Sequence, residues 1–139
     1  MKMHHKTSKA LVGLCFSLAS LTVCAQSIKV ILAGSQEVPP VSTSASGMGS
    51  IMVSPDGSVS GSVTTTGVDG TMAHIHEAPM GQNGPVIVPF AKTADSVWSV
   101  PAGAKLTDAQ LQSLKSGNLY INVHSAANKG GEIRGQLKP

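Results

Sequence analysis

Along most of this chain apolar and polar residues alternate in short runs, the period of strands rather than helices. Ile28, Val30 and Leu32 form the first run, ahead of Gly34. Ser35 to Pro40 follows with two adjacent prolines and reads as a connector, because proline is excluded from helix interiors and central strands. Ile51 to Val53 and Val59 to Val63 flank Pro55-Asp56-Gly57, a strong hairpin turn. Val68 to Gly70 turns the chain into Met72-Ala73-His74-Ile75-His76-Glu77. Pro79 to Pro85 reads as a loop, Val86 to Phe90 as an apolar strand, and another short strand surrounds Trp98. Leu119 to His124 and Glu132 to Leu137 close the chain, with Asn128 to Gly131 in the turn between them.

One helix is expected. Thr107 and Gln110 have capping-box spacing, Leu106 and Leu111 can form a hydrophobic staple, and Gly117 supplies the stop. Many short strands with regular turn signals predict an all-β fold, an antiparallel Greek-key β-sandwich of immunoglobulin-like or superoxide dismutase-like kind with that one short helix. No internal repeat is visible.

The period of two also sorts side chains by face. Ala73 and Ile75 point one way, and Met72, His74 and His76 the other. Leu119, Ile121 and Val123 oppose Tyr120, Asn122 and His124; Ile133, Gly135 and Leu137 oppose Glu132, Arg134 and Gln136. Each strand thus gives an apolar face to the core and leaves a polar face toward solvent.

Composition changes the picture mainly at the start of the chain. Met1 to Lys9 carries Lys2, Lys6 and Lys9, Ala10 to Leu21 is apolar but too short to span a bilayer, and Val23-Cys24-Ala25 offers a cleavage site. Residues 1–25 therefore read as a secretory signal and 26–139 as a single domain, exported to the periplasm or secreted. Lipid anchoring at Cys24 is the lesser alternative. The whole chain carries ten basic and seven acidic residues, but three of the ten are those leader lysines, so the mature domain is near neutral. The sequence pI near 9.0 is no sign of nucleic-acid binding, and no basic cluster supports it. Both cysteines, Cys15 and Cys24, lie in the leader, so the domain has neither a disulfide nor a thiolate ligand.

The remaining chemistry is in three histidines. His74 and His76 are i and i+2 on one strand, about 7 Å apart at Cα, and His124 ends a second strand with the same polar face. Three neutral imidazoles suit copper or, less well here, zinc, and are poor ligands for calcium or magnesium. Met72 or Met80 can complete a copper shell through a thioether. Each residue has a plainer reading as well: solvated histidines, an Arg134–Glu132 ion pair, and an Asn122 bonded to the adjacent loop. Three histidines and a water also make a zinc hydrolase shell, for which Glu77 and Glu132 are the available bases.

Four segments, Leu32 to Pro40, Ala73 to Glu77 with Gly84 to Val86, Tyr120 to His124, and Gly131 to Gln136, resemble the chordin-type (CHRD) domain over nearly the whole mature chain. The resemblance implies a β-sandwich and an exported single-domain protein; it supplies no activity by itself. The domain's name comes from an extracellular animal growth-factor antagonist, so it also implies a structural, protein-binding module without metal. The His-x-His pair, the later strand ending in Val123-His124 and the final Arg134 are similar to the copper side of copper/zinc superoxide dismutase. That similarity implies His74, His76 and His124 as copper ligands and Arg134 as the catalytic residue orienting superoxide, a small anionic substrate. The histidine that bridges copper to zinc, the zinc ligands and the disulfide have no counterparts. The expectation is a copper-only site, either dismutating superoxide or storing and delivering copper without turnover.

Overall fold

A computed structural model describes residues 24–139. The basic and apolar stretches of the expected leader lie outside the described residues, and Cys24 is exposed at their start. Nine strands and one α-helix follow among those residues: β1 (Gln26–Ala33), β2 (Ser46–Val53), β3 (Val59–Thr66), β4 (Gly70–Glu77), β5 (Val86–Pro89), β6 (Ala91–Ala94), β7 (Val97–Ser99), α1 (Asp108–Lys115), β8 (Leu119–Ser125) and β9 (Ile133–Leu137). All pairings are antiparallel, in the order β5-β4-β8-β9-β1-β2-β3-β7-β6. The fold is all-β, as the alternating pattern requires. β9 lies beside β1 and β8 beside β4, the long returns of a Greek key.

The two ends of this order are joined. β5 and β6 are separated by Phe90 alone, and Phe90 donates its N–H to Ala73 O at 2.9 Å. The single strand expected over Val86 to Phe90 is therefore two strands meeting at a corner. β5 pairs with β4, the chain turns past Pro89, and β6 pairs with β7. Lys92 then donates to Gly70 O at 3.3 Å and lies over the Trp98 ring, so the sheet nearly closes on itself. Closure leaves few unpaired edges, which suits a fold built of strands.

Ile28, Val30 and Leu32 are buried on β1 and their alternate neighbours are not. β2 and β3 extend further than their apolar residues indicate, pairing in register from Ser46–Thr66 to Val53–Val59 around the Pro55-Asp56-Gly57 turn. The helix has its capping box: Thr107 Oγ1 accepts from Gln110 N and Gln110 Oε1 accepts from Thr107 N. Leu106 and Leu114 are buried, with Leu111 packed beside them, so the helix plugs one end of the core. Ser113 on that helix donates to Glu77 at the end of β4, tying the plug to the histidine strand.

One expectation fails. Every residue of β8 and β9 is buried, so their polar faces are not wet. The loops around Ala78–Pro85 and Glu37–Val38 roof them. Gln136 Nε2 donates to Ala78 O at 2.9 Å and to Gly117 O at 2.8 Å, and Asn83 Nδ2 donates across the roof to Val38 O at 2.8 Å. A polar face can be buried when its donors find acceptors, and the roof loops supply them as backbone carbonyls.

Candidate metal centre

β4 and β8 are antiparallel neighbours, with His74 opposite Asn122, His76 opposite Tyr120 and His124 opposite Met72. The shared face that periodicity assigns to the histidines is thus one continuous surface. One ligand nitrogen from each of His74, His76 and His124 can be chosen so that all lie within 4.8 Å of one another. His74 Nδ1 and His124 Nε2 are 3.1 Å apart, and the rings of His74 and His76 meet edge to face at 5.4 Å between centroids.

Two of the rings are held by their far nitrogens. His124 Nδ1 donates to Lys129 O at 2.8 Å in the β8–β9 turn, leaving Nε2 bare toward His74. His76 Nδ1 donates to Gly84 O at 2.9 Å, and its Nε2 is buried with no partner. A carbonyl that takes one ring N–H fixes the tautomer and frees the other nitrogen as a ligand. His76 is clamped further by a closed circuit. Its ring stacks on Tyr120 at 4.8 Å with planes 4° apart, and the Tyr120 hydroxyl accepts from Gly84 N at 3.2 Å. Gly84 must be glycine, since a Cβ there would strike Glu77 O.

Electrostatics keep His74 and His76 neutral. Burial, then the positive charge that His124 and His76 would carry, pulls the His74 pKa down to about 4. His76 is lowered as well, mainly by burial, against the opposing pull of the Gly84 carbonyl. Neutral imidazoles are the ligating form. Donor atoms bound to one metal at about 2.0–2.1 Å are separated by ~3.3 Å in a tetrahedral set, so the His74–His124 spacing already suits an ion and closure by His76 completes it. The residues fit a metal of the copper or zinc kind; the metal-free cluster must instead share a proton between His74 and His124.

The other candidate residues are placed as follows. Arg134 is 1% exposed and its Cζ lies 3.4 Å from the Tyr120 ring centroid. β4 supplies His76 on one flank of Tyr120 and β9 supplies Arg134 on the other. Arg134 donates to Asn83 Oδ1 at 3.3 Å, Pro79 O at 3.5 Å and Gln136 Oε1 at 3.4 Å. It does not pair with Glu132, which accepts from Thr43 Oγ1 at 2.8 Å instead. Glu77 is engaged with Ser113. Asn122 donates to Gly130 O at 3.3 Å, the loop contact expected for it. Met72 is half-exposed opposite His124, whereas Met80 lies by Arg134 and Gln136, on the far flank.

Glu37 escapes the strand pattern because it sits in the connector after β1. It is 4% exposed, and burial lifts its pKa to about 7 against the pull of Arg134, Asn122 and the Val38 N–H. Its neighbours in sequence, Val38, Pro39 and Pro40, are the only sign of this, an acid embedded in an apolar, proline-rich stretch. It lines an open cleft of about 530 Å³ beside Asn83, Asn128 and Gly131.

A family model described as the CHRD domain matches residues 28–137. The chain belongs to that family. The match takes in every strand that carries the histidines, the CHRD roof loops and Arg134. No curated protein and no solved structure matches the chain significantly. No helix among the described residues is long and apolar enough to cross a membrane.

Proposed function

We propose that this CHRD protein is an exported copper-binding protein whose ligands are His74, His76 and His124. The observation that carries the reading is the convergence of three imidazoles from two neighbouring strands, two of them aimed by carbonyls on their far nitrogens. An all-nitrogen set of this kind favours copper or zinc, and Glu77 and Glu132, the bases available for zinc hydrolysis, are engaged by Ser113 and Thr43. Copper content and Cu(II) EPR of protein taken from its native compartment test the assignment. Hyperfine structure from several imidazole nitrogens, lost in His124→Ala, is the expected result; metal-free protein that takes up no stoichiometric copper overturns it.

Superoxide dismutation is the second reading, favoured by the partial exposure of His74, the side from which a small anion can arrive. Bound copper supplies one-electron redox: one superoxide is oxidised to dioxygen, and a second is reduced, with two protons, to hydrogen peroxide. Arg134 contributes its charge from beneath the roof, since its guanidinium is buried and engaged. Burial of His76 and His124 favours storage or delivery of copper over turnover. Suppression of superoxide-driven dye reduction beyond that of equal free copper, abolished in His124→Ala, supports dismutation. Equal suppression by free copper leaves the binder.

A further inference from the structure

We infer that Asn122 Oδ1 is an oxygen ligand that joins the three imidazoles, giving the ion an N₃O donor set. The inference rests on the three-histidine reading and adds a ligand to it. Asn122 stands opposite His74 in the β4–β8 register, two residues from His124 and on the same face. It is 2% exposed.

The amide is oriented by what its nitrogen does. An Asn side chain has two N–H donors and one carbonyl. One N–H goes to Gly130 O at 3.3 Å, and the Glu37 carboxyl lies beside the same amide nitrogen next to Gly131. Gly131 lets these groups approach, because a Cβ there would strike both Glu37 Oε1 and Asn122 Nδ2. Turning the amide over would set its oxygen against the Gly130 carbonyl, acceptor against acceptor. Oδ1 is therefore directed away from that side, on the face Asn122 shares with His74, His76 and His124.

The His76 ring on that face offers no donor. His76 has committed its Nδ1–H to Gly84 O, so Nε2 presents a lone pair. Asn122 Oδ1 and His76 Nε2 are both buried and both lack partners. Two desolvated acceptors on one face are costly when nothing satisfies them. A cation held there satisfies both at once, and the histidine cluster already places it. Carbonyl oxygen is a harder donor than imidazole and favours the oxidised ion. Asn122 thus selects Cu(II) over Cu(I) and lowers the reduction potential of the site.

The test compares wild-type protein, Asn122→Leu and Asn122→Asp, each stripped of metal and titrated with Cu(II) and, under reducing conditions, with Cu(I). Asn122→Leu is expected to weaken Cu(II) by ~10-fold or more with Cu(I) affinity nearly unchanged. A tenfold loss raises the one-electron potential by ~59 mV, and the Cu(II) EPR parameters move with it. Asn122→Asp keeps an oxygen in place and is expected to bind Cu(II) more tightly and lower the potential; it decides the matter if the leucine variant does not fold. Imidazole coupling in wild type, with unchanged affinities and potentials in the variants, overturns the Asn122 assignment alone. Wild-type protein that binds no copper overturns the three-histidine reading and this ligand together.

Discussion

Glu37 and His74 sit within one polar cluster, yet pH acts on them in opposite directions. The Glu37 carboxyl is lifted from 4.5 in the unfolded chain to about 7 in the fold. Between those values the folded protein holds a proton that the unfolded chain has released, so stability falls as pH rises through that window. The full cost is on the order of 3 kcal/mol. Glu37→Gln removes it. Urea unfolding of metal-free protein should show wild type losing stability relative to this variant between roughly pH 4.5 and 7.5. A difference that stays constant across that range would mean Glu37 ionises in the fold as it does in the unfolded chain. His74 works the other way. Its pKa is depressed from 6.5 to about 4, so the unfolded chain binds a proton first and stability is lost as pH falls through that interval. His74→Asn should therefore blunt the acid limb of the stability curve of metal-free protein, read by the same unfolding measurements; an acid limb as steep as in wild type would clear His74 of that role.

β4, β8 and the loop after β4 form the element that carries the candidate site, and Tyr120 holds its parts together. The ring supports His76 on one flank and Arg134 on the other, while the hydroxyl receives Gly84 N. Tyr120→Phe keeps the stacking and removes the acceptor, leaving a part-buried N–H unsatisfied. The expected loss is about 1–2 kcal/mol in chemical denaturation, with weaker copper binding as Gly84 O drifts from His76 Nδ1. Unaltered copper affinity would show that stacking alone positions His76. The strand part of this element was legible from the sequence, since a period of two puts His74, His76 and His124 on one face wherever β4 and β8 pair. The roof was not. Alternation distinguishes core from non-core, but it says nothing about whether a loop will cover the second face. Arg134, Gln136 and His76 all bond to backbone carbonyls of that loop, acceptors that every residue carries and no side-chain pattern reveals. The β5–β6 corner escaped for a similar reason: Val86 to Phe90 reads as one apolar run, and only the change of partner at Pro89 divides it.

At the scale of the whole molecule the site is a junction of distant segments. Glu37 comes from the connector after β1, two histidines from β4, Asn83 from the roof loop, His124 and Asn122 from β8 and Arg134 from β9. The unfolded chain keeps only His74 and His76 as close neighbours, so an ion bound by three imidazoles stabilises the fold without comparable affinity for the unfolded state. Binding of this kind raises stability by RT ln(1 + [L]/Kd), about 2.7 kcal/mol at free copper 100-fold above Kd. For a domain of this size that is a Tm increase on the order of 10 °C. Scanning calorimetry with and without copper, and again after a chelator, measures it directly. His124→Ala should retain the fold, because His124 lies on the site face and the β8 core residues Ile121 and Val123 are untouched, yet lose most of the copper-dependent shift. A shift of equal size in that variant would place the ion elsewhere, most simply on the local His74–His76 pair, which needs no convergence of β4 with β8. The magnitude of the shift thus separates an ion that fastens the two strands together from one that merely decorates a single strand.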